Sequence, residues 1–95
     1  MESSGERGLR IRLAEGDPSG RLVAFEDGVL TLVLPRALAP GAPLTFTVVD
    51  ASGEERLLEG RSLGARRTEG GHFRVRMRPV NLRREDRAFL RARLE

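Results

Sequence analysis

The chain has 95 residues, room for a single hydrophobic core, and its 39% apolar and 33% charged content fits a compact soluble domain and excludes a disordered tail. Absence of Cys excludes disulfides and thiolate metal sites; with no signal-like apolar run at the amino terminus and no stretch long enough to span a membrane, a cytoplasmic domain is expected. All 17 basic residues are Arg, set against 14 acids, so the net charge is only +3 and the basic character alone does not define an anion site.

Residues 1–8 read as a flexible amino-terminal segment and residues 9–95 as one domain. Leu9, Ile11 and Leu13 alternate with Arg10 and Arg12 at the period of two of a half-buried strand. Arg21 to Glu26 and Val29 to Leu34 follow, joined by Asp27-Gly28, the pair that favours a type I′ hairpin turn. Pro35 and Pro40-Gly41 punctuate a connection into Leu44 to Asp50, where Leu44, Phe46 and Val48 share one face. Asp50 to Gly53 turns the chain into Arg56 to Arg67, a long strand in which Gly60 and Gly64 mark a bulge and a bend. Thr68 to Gly71 turns it again into Phe73 to Val80, with Phe73, Val75 and Met77 on one side and Arg74, Arg76 and Arg78 on the other; Pro79, lacking a donor, predicts a sheet edge. A helix is expected over Arg83 to Leu94, capped by Asn81, with acids at its start, Arg91 and Arg93 at its end, and Phe89, Leu90 and Leu94 docking over one mouth of a barrel. Six short strands between turn residues predict an all-β, six-stranded antiparallel barrel with a C-terminal helix, its core built on Phe46, Val48, Val75 and Phe89.

The means for catalysis are few: one His, and no Cys, Lys or Tyr. His72 follows two glycines at a turn and reads as solvated, the acid pairs Glu54-Glu55 and Glu26-Asp27 flank turns, and no phosphate-binding glycine loop is present. No cofactor or metal is expected, and the chain reads as a binder, not an enzyme. Its candidate partner surface is formed by Arg10, Arg12, Arg74, Arg76 and Arg78, provided that the strands carrying them are neighbours. Phe25, Phe46, Phe73 and Phe89 are the only aromatics and three of them read as core, which disfavours nucleic acid.

The order of several short pieces resembles the PilZ domain. Gly20-Arg21-Leu22-Val23, Gly28 to Leu34, Leu38-Ala39-Pro40-Gly41 before Leu44 to Val48, Leu58-Glu59-Gly60-Arg61, and Phe73 to Leu82 with Asp86 and Leu90 downstream are each similar to that family's pattern at the matching place, across nearly the whole chain from Arg10. The resemblance implies a six-stranded barrel with a following helix, serving bacterial signalling, motility included, as a cyclic di-GMP receptor or as a protein-interaction module. The family's receptors carry an RxxxR element before the barrel and a DxSxxG element after the second strand. Arg7, Arg10 and Arg12 include no pair four apart, Asp17-Pro18-Ser19 lies before the strand and lacks the glycine, and the aligned loop places Ala24 and Glu26 where Asp and Ser belong. The resemblance therefore implies a degenerate member, a regulatory adaptor that binds a protein and not cyclic di-GMP. The alternatives are a cyclic di-GMP receptor using Arg7, Arg10 and Arg12 with Glu26 and Gly28, and an Arg-rich barrel that binds nucleic acid.

Overall fold

The computed structural model describes residues 9–13 and 18–94. The expected architecture is present: six antiparallel strands close into a barrel and one helix follows. The strands are β1 (Leu9–Leu13), β2 (Pro18–Glu26), β3 (Val29–Leu34), β4 (Pro43–Val49), β5 (Glu55–Arg67) and β6 (Phe73–Pro79), and the helix is α1 (Arg84–Leu94). Around the barrel the order is β1-β2-β3-β6-β5-β4, with β4 returning to β1. The expected segment over residues 1–8 lies outside the described residues.

Alternation fills the interior. Leu9, Ile11 and Leu13 of β1, Leu30, Leu32 and Leu34 of β3, Phe46 and Val48 of β4, and Val75 and Met77 of β6 point into one cluster, joined by Leu22, Leu58 and the helical pair Phe89 and Leu90. Phe46, Val48, Val75 and Phe89 are all at most 4% exposed, as the pattern requires. Phe25 and Phe73 pack against the cluster from its margin. Asp27 and Gly28 both take positive φ, 55° and 75°, as a type I′ turn demands, so that Glu26 faces Val29 directly.

Three expectations change. The second strand begins at Pro18 and not at Arg21, because pairing with β1 carries Pro18, opposite Arg12, into the sheet; a proline tolerates the first place of a strand. Pro79 marks no edge: a closed barrel has none, and Pro79 ends β6 opposite Gly60 while the next amide, Val80, donates to the Glu59 carbonyl at 2.8 Å. Asn81 is not the helix cap but a left-handed residue, φ 58°, that turns the chain off β6. The helix opens after Arg83, whose amide donates to the Asp86 carboxylate at 3.2 Å, so an acid inside the first turn reaches back to the cap position.

The pairing places the start of β1, the β2–β3 hairpin, the β4–β5 turn and the end of β6 at one mouth of the barrel. Phe89 and Leu90 carry α1 into that mouth, and the fixing contacts come from polar groups. Asp50, buried in the β4–β5 turn, accepts from the Ser52 hydroxyl at 2.7 Å, from the amides of Ser52 and Glu54 at 2.9 Å, and from Arg93 Nε at 2.8 Å. The Arg93 guanidinium lies 4.0 Å from the centre of the Phe89 ring and also reaches Glu54 at 3.2 Å. Arg56 joins the same knot, 3.2 Å from Asp86 and 5.3 Å from the Phe89 ring. Two cations whose charges are met by acids thus lie over the ring.

Candidate functional site

With Val75 and Met77 turned inward, β6 turns Arg74, Arg76 and Arg78 outward, all exposed, at intervals of roughly 7 Å along the strand. Their cross-strand neighbours on β5 are also basic: Arg66 stands opposite Arg74 and Arg61 opposite Arg78. On the other flank β3 offers Val33 and Thr31, which bring no charge. Among the described residues Arg66, Arg74, Arg76 and Arg78 make no ion pair and no side-chain hydrogen bond. Arg61 donates only to the Gly41 carbonyl, at 3.1 Å, and Arg67 lies over the Phe73 ring at 5.9 Å. Like charges directly opposite one another in a sheet are destabilising, and here two such pairs sit within one face.

Three acids are engaged elsewhere. Glu54, Glu55 and Asp86 are engaged by Arg56, Arg93 and Arg12 at 3.0 to 3.7 Å, around the β4–β5 turn and the helix start. Among the described residues Glu54, Glu55 and Glu59 make no ion pair with the β6 arginines: Glu54 and Glu55 are engaged by Arg56, Arg93 and Arg12, and Glu59 pairs with none of them.

The strand order corrects the expected partner surface. Strands β1 and β6 are not neighbours: two strands separate them in either direction around the barrel, so their two Arg stripes face opposite sides. Arg12 is tied to Glu55 at 3.0 Å. Arg10 alone of the β1 pair approaches the β6 stripe, through a cross-barrel row in which Arg10 faces Arg21, Arg21 faces Val33, and Val33 faces Arg74. Arg10, Arg21 and Arg74 line a groove of about 510 Å³ with Glu69 and the exposed His72 at its rim. Glu26 and Gly28 are not part of it: Glu26 lies five residues beyond Arg21 on β2, roughly 17 Å along the strand, at the opposite end near the helix-covered mouth. Arg7 lies outside the described residues, as does Asp17.

Two features escape a reading by periodicity. Gly60 and Gly64 were expected to mark a bulge, and only the second does. In the β5–β6 ladder Ser62 faces Met77 and Gly64 faces Arg76, leaving Leu63 as the extra residue, 42% exposed on the arginine side. Gly64 takes a φ of 132°, which suits glycine alone. Gly60 instead permits close approach, since a Cβ there would lie 2.6 Å from Met77 Cγ. The second feature is Ser62, 2% exposed, which accepts from the Gly64 amide at 3.0 Å and donates to the Leu38 carbonyl at 3.2 Å. Its own backbone meets Gly41 and Ala42 at 2.7 and 2.8 Å, so the bulge is sewn to the β3–β4 connection. A serine between two glycines in an otherwise apolar inward row was the available clue.

The Asp50 carboxyl is held well below the usual carboxylate range, chiefly by the Ser52 hydroxyl, then by Arg93, with the Glu54 and Ser52 amides adding to the effect against an opposing desolvation. Its place is in the knot that fixes the helix, away from the arginine face. Among the described residues no group of three His, Asp or Glu side chains converges as a metal site, and no helix is long and apolar enough to cross a membrane. The chain matches no family model, no curated protein and no solved structure.

Proposed function

We propose that the chain is a non-enzymatic regulatory module, a degenerate relative of PilZ domains, that acts through protein contact and receives an acidic partner on the outer face of β3, β6 and β5. The observation that carries this reading is the two pairs of facing arginines, Arg61 with Arg78 and Arg66 with Arg74, none of which makes an ion pair with a carboxylate among the described residues. Such a face is electrostatically unsatisfied in the free molecule, and carboxylates from a partner convert its internal repulsion into bidentate pairing. Arginine suits the task because its planar fork is weakly hydrated and pairs with carboxylates in fixed geometry. Single-stranded nucleic acid needs exposed rings on which bases stack, whereas all four phenylalanines lie in the core or pack against it. A cyclic di-GMP site drawn from Arg10 with Glu26 and Gly28 is disfavoured by their separation along β2.

The test compares the wild-type chain with Arg74→Glu/Arg76→Glu as baits in a lysate of the source organism, with titrations of cyclic di-GMP and of a single-stranded oligonucleotide beside them. Retention of an acidic protein by the wild type alone, with the double variant melting no lower than the wild type, is the expected result. Low-micromolar binding of cyclic di-GMP, or oligonucleotide binding that falls steeply with salt, overturns the reading.

A further inference from the structure

We infer that the β5 bulge is the specificity pocket of this face: it takes one apolar side chain of an acidic protein segment whose flanking carboxylates engage Arg66, Arg74 and Arg76. This rests on the protein-contact reading above and goes further by naming what the partner must present.

The bulge places Leu63 and Gly64 together opposite Arg76, so an apolar side chain and a bare backbone stretch stand beside a guanidinium on the outer face. With Ala65, Arg66 and Arg74 they line a cavity of about 370 Å³. Apart from its chain neighbours Leu63 and Ala65, nothing lies within 4 Å of where a Gly64 Cβ would be, so the floor of the cavity is open to an incoming group. The floor is also fixed: the Gly64 amide is satisfied by the buried Ser62 hydroxyl, and Ser62 is tied in turn to Leu38, Gly41 and Ala42. A prearranged site loses little entropy on binding.

Charge complementarity selects the occupant. The rim residues Arg66, Arg74 and Arg76 are exposed and unpaired among the described residues, so the flanks of the ligand must be anionic. A phosphate backbone satisfies the rim but leaves Leu63 uncovered, whereas a peptide with an aliphatic or aromatic side chain between carboxylates satisfies both. An apolar anchor within a charged rim is the arrangement in which one side chain sets affinity and the charges set register and approach.

Two labelled peptides of Asp and Glu, one with a central Leu and one with a central Ser, test this by fluorescence anisotropy on the whole chain at physiological salt. The expected result is binding of the Leu peptide about tenfold or more tighter than the Ser peptide. Leu63→Ser, a change at an exposed position, is expected to abolish that preference, and Arg74→Glu/Arg76→Glu to abolish binding of both peptides. Equal affinity for the two peptides, lost on charge reversal, overturns the anchor pocket and leaves the acidic-partner reading standing. Binding of neither peptide, or tighter binding of an oligonucleotide, overturns both. Self-association of the chain that Leu63→Ser abolishes assigns the pocket to a second copy and overturns the inference.

Discussion

Asp50 shows how much one buried carboxylate can organise: its two oxygens order the β4–β5 turn through Ser52 and Glu54 and hold the last turn of α1 through Arg93. Because its folded value is depressed, the unfolded chain takes up the proton first as acid is added. The stability it contributes is complete above the unfolded carboxylate value of about 3.9 and is lost progressively as the pH falls below it. Urea unfolding between pH 2 and 7 is expected to show a steep acid limb that Asp50→Asn flattens, the variant being the less stable at pH 7; an acid limb unchanged by the substitution contradicts the assignment. Ser62 has a comparable place where β5 meets the β3–β4 connection. Ser62→Ala leaves the Gly64 amide and the Leu38 carbonyl without their partner and is expected to cost about 1–3 kcal/mol, read as a lower urea midpoint with an unchanged slope. Ser62→Thr, which keeps the hydroxyl, separates the hydrogen bonds from the cavity if the added methyl is accommodated.

At the scale of elements, β4 carries the register on which closure depends, since it joins the first strand to the fifth and presents Phe46 and Val48 inward. A one-residue slip exchanges those residues for Thr45 and Thr47. Phe46→Ala is expected to destabilise the chain by about 3–5 kcal/mol in chemical denaturation, a large share of a small domain's stability. A loss under 1 kcal/mol contradicts the inward register. This strand, like β1, β3 and β6, was legible in the sequence because alternation at period two records which face is buried. The ends of elements were not. Asn81 reads as a cap by residue type, yet the turn off β6 required a left-handed residue there, and Asp86 took the capping contact from inside the helix. The candidate surface was half legible: periodicity placed Arg74, Arg76 and Arg78 outward, but their true neighbours, Arg61 and Arg66, depend on a strand order that no local pattern encodes. Leu63 was hidden for a related reason, because two glycines announced a bulge without saying which residue would be extra.

The whole molecule is electrostatically divided. Around the helix-covered mouth every cation of the knot, Arg56 and Arg93, meets an acid, and Arg12 meets Glu55, while the β5–β6 face gathers Arg61, Arg66, Arg74, Arg76 and Arg78, none of which pairs with an acid among the described residues. If this face receives an acidic partner as proposed, function is set against stability, because like charges facing one another strain the free barrel. Arg66→Glu places a carboxylate opposite Arg74, replacing a like-charge pair by an opposite one on an exposed row. The free chain is therefore expected to gain about 0.2–1 kcal/mol, and the gain should shrink as salt is raised from 0.01 to 1 M, since the Debye length contracts from roughly 30 to 3 Å over that range. The same substitution removes one of the three rim cations and fills the rim with repulsion, so affinity for an acidic ligand should fall while the melting temperature rises. Opposite movement of the two quantities in one variant is the discriminating result. If Arg66→Glu lowers stability, the facing arginines are not in conflict in the free molecule, and if stability rises with no change in acidic-peptide affinity, the face is a solvated surface and not a docking site.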